Sequence, residues 1–136
     1  MDHLDQNQRS RLMGKIHGKD TRPEMKLRSL VHGMGYRYRL HGRDLPGTPD
    51  LVFPSRRRVI FMHGCFWHQH PDPSCRRTKL PVTRGEFWKN KLEGNRRRDI
   101  KTETRLLELG WSSLVIWECE LSDLDQLRPR ICEFLG

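Results

Sequence analysis

Thirteen residues, His63 to Cys75, hold His63, Cys65, Phe66, Trp67, His68, His70 and Cys75. Thiolate and imidazole are the donors that zinc prefers. Cys65, His70 and Cys75 follow one another with four residues between neighbours, and Cys119 supplies a fourth donor far downstream. A Cys-His-Cys run closed by a distant cysteine is a structural-zinc pattern, although not a common finger spacing. His68 is an alternative to His70, and Cys132 to Cys119. The competing reading is a set of reduced core cysteines with no metal. Cys132, between Ile131 and Leu135 on one predicted helix, fits that second reading best.

A second set suits a harder cation. Asp50 opens a predicted strand after a loop rich in Gly and Pro, and His63 ends the next strand across a hairpin. Metal-dependent nucleases hold Mg2+ at such a place, where carboxylate oxygens and water bind an ion that polarises the phosphate. Turn capping after Gly47-Thr48-Pro49 would also explain an aspartate there. The histidines could equally be surface groups or supports for the zinc. Glu24 falls on the buried edge of a helical stripe, either closing a capping box or facing inward as a functional carboxylate.

The elements that must position these groups follow from pattern. Thr21 and Glu24 form a capping box with Pro23 in the first turn, opening a helix to about Gly33 that buries Leu27, Leu30, Val31 and Met34. Residues 36–40 alternate large apolar and basic side chains, as a half-buried strand would. After the 42–49 loop come a short strand at 50–53, a turn, and a buried strand from Arg58 to His63 with Val59, Phe61 and His63 on one face. A second capping box, Thr83 with Glu86, opens a helix carrying Phe87, Trp88 and Leu92. Gly94 weakens it, and the pattern resumes from Arg96 to Leu109 with Gly110 as the stop. Leu114 to Trp117 reads as another buried strand delivering Glu118-Cys119, and a helix over about 124–134 closes the chain. The order predicts an α/β or α+β fold with a mixed central sheet flanked by helices. Residues 1–20 are too thinly apolar to fold alone and read as an N-terminal helical arm.

The chain has 136 residues, expected to form one domain over 1–136. Its net charge is +9, with 26 Lys and Arg against 17 acidic residues, including the runs Arg56-Arg57-Arg58 and Arg96-Arg97-Arg98. That excess favours a polyanionic partner through counterion release. No signal region and no bilayer-spanning stretch is present, so an intracellular protein is expected, with no membrane partner.

Leu45-Pro46-Gly47-Thr48-Pro49-Asp50, Phe61 through His68 (FMHGCFWH), Glu86-Phe87-Trp88, and Leu109-Gly110-Trp111 through Trp117-Glu118-Cys119 strongly resemble the Vsr, or very-short-patch-repair, mismatch endonucleases. The resemblance runs from about Arg9 to Leu121. It implies a restriction-endonuclease-like fold of the PD-(D/E)XK class. It also implies a Mg-dependent nick in one DNA strand, 5′ to the thymine of a T·G mismatch left by deamination of 5-methylcytosine. By position, Asp50 would bind Mg2+ with the Met62 main-chain carbonyl as second ligand, Met62 standing where some relatives have threonine. His63 and His68 would be catalytic, His68 as the acid/base, and Glu24 would hold a water of the metal or a histidine. Cys65, His70, Cys75 and Cys119 would bind structural zinc. Phe66 and Trp67 would unstack the mismatched step, with Met13 wedging from the other groove and Trp88 and Asn95 at the mismatch. The implied partner is double-stranded DNA with a T·G mismatch, acted on by a monomer in the bacterial cytoplasm, at the nucleoid. Mismatch-repair proteins are a candidate second partner. Two other readings keep the same charge: a PD-(D/E)XK nuclease without mismatch selectivity, and a zinc-bearing DNA-binding module that cuts nothing.

Overall fold

A computed structural model describes residues 20–136. Helix α1 (Arg22–Gly33) leads to strand β1 (Arg39–Leu40), the hairpin of β2 (Leu51–Phe53) and β3 (Arg58–His63), the long helix α2 (Gly85–Glu108), strand β4 (Ser112–Trp117) and helix α3 (Leu124–Leu135). The sheet order is β1-β2-β3-β4, antiparallel except for the parallel pair β3–β4. A parallel pair needs a crossover, and α2 supplies it.

Alternation along the strands splits the core into two layers. Leu51, Phe53, Ile60 and Ile116 face Leu27, Leu30 and Val31 of α1 and Leu127, Ile131 and Leu135 of α3. On the other face, Val52, Val59 and Phe61 meet Leu106 of α2, with Trp111 and Val115 beside them. The expected shared face of Val59, Phe61 and His63 is present, the Phe61 and His63 rings lying 5.8 Å apart.

Several boundaries differ from expectation, each for a local reason. Thr21 Oγ1 accepts from the Glu24 amide as predicted, but the Glu24 carboxylate takes the Asp20 amide and not that of Thr21. Only Arg39–Leu40 of the expected 36–40 strand pairs with β2. Tyr36 and Tyr38 instead pack on the α1–α3 layer, and the Tyr38 hydroxyl donates to the Arg28 carbonyl. Helix α2 begins at Gly85 after Arg84, whose φ of 58° is left-handed, and no side-chain cap from Thr83 is present. Gly94 does not interrupt it. A helix of 24 residues outweighs one glycine, which costs about 1 kcal/mol relative to alanine.

The arginine run 56–58 is not a free basic patch. Arg56 donates to the Leu135 carbonyl, Arg58 to that of Phe134, and Arg57 to those of Leu109 and Gly110. Their guanidiniums also lie over the rings of Tyr36, Trp111 and Phe134. Three cations thus close the C-terminal ends of α2 and α3, where helix dipoles favour positive charge. They stand at the start of β3, opposite the end that carries His63.

Candidate active site and metal centre

Both candidate centres gather where β3 and β4 end. Asp50 precedes β2, and its Oδ2 accepts from the Met62 amide of β3 at 2.7 Å. The loop before it turns at Gly47, with φ +74°; a Cβ there would lie 2.4 Å from Thr102 Cγ2 and 3.2 Å from Phe61 Cε1. Only glycine lets this loop close against α2 and seat Asp50. Burial pushes the Asp50 carboxyl up to about 7 against the pull of the Met62 amide, and the neighbouring Glu24 carboxylate raises it further. Asp50 and Glu24 thus put two buried carboxylates on one cleft, and the hard oxygens of such a pair fit a divalent cation.

Glu24 is 6% exposed and faces inward. Its Oε2 accepts from Arg28 at 2.9 Å and lies 3.4 Å from His41 Nε2. The helical stripe left the capping-box and inward readings of Glu24 open, and neither Arg28 nor His41 was singled out by the sequence.

His63 and His68 lie stacked, with His68 carried by the turn that leaves β3. His68 Nδ1 is 2.7 Å from Asp99 Oδ2 on α2. His63 is 8% exposed, and its Nδ1 is buried without a partner among the described residues. Burial, with the charge of His68 next, holds the His63 imidazole down to about 4. One histidine is therefore kept neutral, while the other has a carboxylate to fix its tautomer. Asp99 escaped the sequence reading: it sits 31 residues from His68 in a charged helix, and only the crossover joins them. A cleft of about 490 Å³ is lined by Asp50, Met62, His63, His68, Asp99 and Glu24 among others.

Ligand-type atoms of Cys65, His70, Cys75 and Cys119 all lie within 4.8 Å of one another. His70 Nδ1 is 3.8 Å from the Cys65 sulfur and 3.4 Å from that of Cys119. A tetrahedron with zinc–sulfur bonds of ~2.3 Å has edges of about 3.8 Å, so this set fits a structural metal ion. Burial pushes the Cys65 thiol up to about 12 and raises that of Cys119. His68 does not join the set, being engaged by Asp99. Cys132 stays outside too, and it is exposed where a core position was expected. The buried stripe of α3 is Leu127, Ile131 and Leu135, and Cys132 points away from it. Trp117 ties the two centres together: its ring stacks on His70 at 4.4 Å and meets the edge of His63 at 5.2 Å. Glu118 Oε1 accepts the Cys65 amide.

Phe66, Trp67 and Trp88 form one aromatic cluster, with centroids 5.2 to 5.9 Å apart. Trp67 remains 36% exposed, and Phe87, which abuts Trp88, 45%. Asn95 Nδ2 donates to the Trp67 carbonyl, and its Oδ1 accepts from Arg98. Met13 and the N-terminal arm lie outside the described residues.

The chain is similar to known proteins over most of its length. The family described as DNA mismatch endonuclease Vsr matches residues 1–77. The chain is 52% identical over 134 residues to the type II nicking enzyme V.XorIIP of Xanthomonas oryzae pv. oryzae, covering 98% of this chain and 96% of that one. It is 45% identical over 126 residues to the DNA mismatch endonuclease Vsr of Escherichia coli, covering 93% and 79%. To the type II nicking enzyme V.NmeAIP of Neisseria meningitidis it is 39% identical over 130 residues, covering 96% and 91%.

Proposed function

The chain belongs to the Vsr family of DNA mismatch endonucleases, as an endodeoxyribonuclease, and we propose that it nicks one strand of duplex DNA 5′ to the thymine of a T·G mismatch. One observation carries the reading: Asp50, the Met62 main chain and the His68–Asp99 pair converge on a single cleft. The hairpin that presents Asp50 before β2 and Met62 on β3 supports a restriction-endonuclease-like fold.

Asp50 and the Met62 carbonyl would hold Mg2+, and Cys65, His70, Cys75 and Cys119 would hold Zn2+. Bound Mg2+ supplies positive charge that offsets charge developing on the scissile phosphate. The chain's own residues do the rest. Asp99 accepts a hydrogen bond from the Nδ1–H of His68 and fixes the tautomer, leaving Nε2 to exchange a proton with the attacking water or the leaving oxygen. His63, held neutral, offers a hydrogen bond without competing for that proton. Phe66 and Trp67, backed by Trp88, would enter the mismatched step, where the missing Watson–Crick pair lowers the unstacking cost. Asn95 and Met13 would contact the same region. Zinc then acts as scaffold, keeping the 63–75 loop against β4. We place the protein as a monomer in the cytoplasm, at the nucleoid, with mismatch-repair proteins as a candidate second partner.

The test is a nicking assay with Mg2+ on T·G duplexes in several sequence contexts, beside matched T·A controls. Nicking confined to T·G and lost in Asp50→Ala is expected. Equal cutting of T·A duplex would instead favour a PD-(D/E)XK nuclease without mismatch selectivity. Tight binding with no cleavage under any metal would favour the zinc-bearing binding module.

A further inference from the structure

Asp20, Glu24 and His41 have the types and mutual closeness of a metal site. Among the described residues, however, a guanidinium takes the place of the ion. A single nitrogen of Arg28, NH2, lies 2.8 Å from Asp20 Oδ1, 2.9 Å from Glu24 Oε2 and 3.2 Å from His41 Nε2. The pair is buried, with the Arg28 and Glu24 side chains 12% and 7% exposed. It is therefore not one of the solvated helix-surface pairs that contribute little. Arg28 Nε is buried with no partner among the described residues, which marks a group retained for its charge and terminal nitrogen.

We propose that Arg28 is a positioning residue of the cleavage centre: it pins Glu24 Oε2 so that the carboxylate stays in the cleft that Asp50 lines. The inference rests on the reading of Asp50 as the cation ligand. Two donors converge on that one oxygen, Arg28 NH2 and the Asp20 amide at 3.0 Å, with His41 Nε2 3.4 Å from it. Glu24 and Asp50 line the same cleft. Without the guanidinium, two like charges would face each other across the site and Glu24 would turn away. The three contacts fall on one nitrogen, so a point cation meets the need as well as a fork does. An ammonium even has three protons for the three acceptors, against two on NH2.

The test compares the parent, Arg28→Met and Arg28→Lys as full-length, zinc-loaded proteins. Single-turnover nicking of a T·G duplex with Mg2+ gives the rate, Mg2+-free binding of the same duplex gives DNA affinity, and electron paramagnetic resonance follows Mn2+ bound without DNA. Arg28→Met is expected to lose about 10–100-fold in rate, as when a partner that orients a metal site is removed. Its DNA affinity should stay parental, and Mn2+ should bind at least as tightly, since a nearby positive charge has gone. Arg28→Lys should recover most of the rate. A parental rate in Arg28→Met overturns the proposal. So does a joint fall of rate, Mn2+ affinity and DNA affinity, the pattern of a disturbed fold. If the parent binds Mn2+ but nicks nothing, the functional reading fails instead. The Mn2+ spectrum then decides on Arg28, changing in the Met variant and not in the Lys variant if it positions the site.

Discussion

The imidazoles of His63 and His68 lie face to face, 3.8 Å between centroids and 7° from parallel. Two cationic rings at that distance would repel strongly in a partly buried site, so the pair holds at most one charge. Asp99 orients one of the two rings, with its Oδ2 2.7 Å from His68 Nδ1. His68→Ala is expected to slow nicking by about 10²–10⁴-fold, the usual worth of a general acid or base. Asp99→Asn should cost about 10–100-fold, because the ring loses its orienting carboxylate and not its nitrogen. Single-turnover rates at saturating enzyme check both, and an Asp99→Asn rate equal to the parent would remove Asp99 from the scheme.

In Mg-free buffer, thermal stability should carry the mark of Asp50. Its carboxyl sits at about 7 against an ordinary 3.8, so between those values the folded state keeps a proton that the unfolded chain has released. Its contribution is fully present below about pH 4 and is lost as pH rises through 7. His63 runs the other way: held at about 4 against 6.5, its contribution is present above pH 6.5 and lost as pH falls towards 4. Asp50→Asn removes only the first effect. The Tm advantage of the variant should grow from pH 4 to 7, flatten above, and shrink when Mg2+ is added to both. A pH-independent difference would contradict the assignment.

Zinc content should be near one equivalent per chain and fall sharply in Cys65→Ala. Because Trp117 lies against both His70 and His63, chelation should depress nicking even where Mg2+ is restored. Elemental analysis with a nicking assay before and after chelator treatment tests this; full activity at zero zinc would separate the two centres.

Much of this was legible in the chain. Period-2 alternation in Val59, Phe61 and His63, and the Leu27, Leu30 and Val31 stripe, located the layers, while Glu24 at the edge of that stripe stayed open between a cap and an inward carboxylate. The clustered Cys and His types marked one centre, and Asp50 after its Gly/Pro loop the other. What stayed hidden were partners that only topology joins: Asp99 for His68, and Arg28 and His41 for Glu24. The arginine run misled for a related reason. Charge in a sequence carries no address, and Arg56, Arg57 and Arg58 are taken up by helix ends.

That last point is measurable. Arg57→Ala should cost about 1 kcal/mol in stability, the scale of a hydrogen bond at a helix terminus. It should leave the salt dependence of DNA binding unchanged. Arg96→Ala, at the cleft, should reduce that slope by about one ion if it meets a phosphate. Equal slopes in both variants would place the DNA elsewhere.

Trp67→Ala should weaken binding to a T·G duplex by about 10–100-fold, the range of one lost stacking contact. Its cost to the fold should be about 1–2 kcal/mol, from broken ring pairs within the cluster. Matched T·A duplex, offering no loosened step, should be bound almost as by the parent.

The parallel pairing of His63 with Trp117 also bears on when the protein becomes dangerous to its host. Asp50, His63 and His68 leave the ribosome early, but the strand that frames them, the carboxylate that aims His68 and the fourth cysteine all come later. Pairing so distant in sequence forms slowly and only once the crossover helix exists. A nascent chain therefore carries the reactive side chains unassembled. Competence to cut DNA arrives only once β4 and Cys119 have been made.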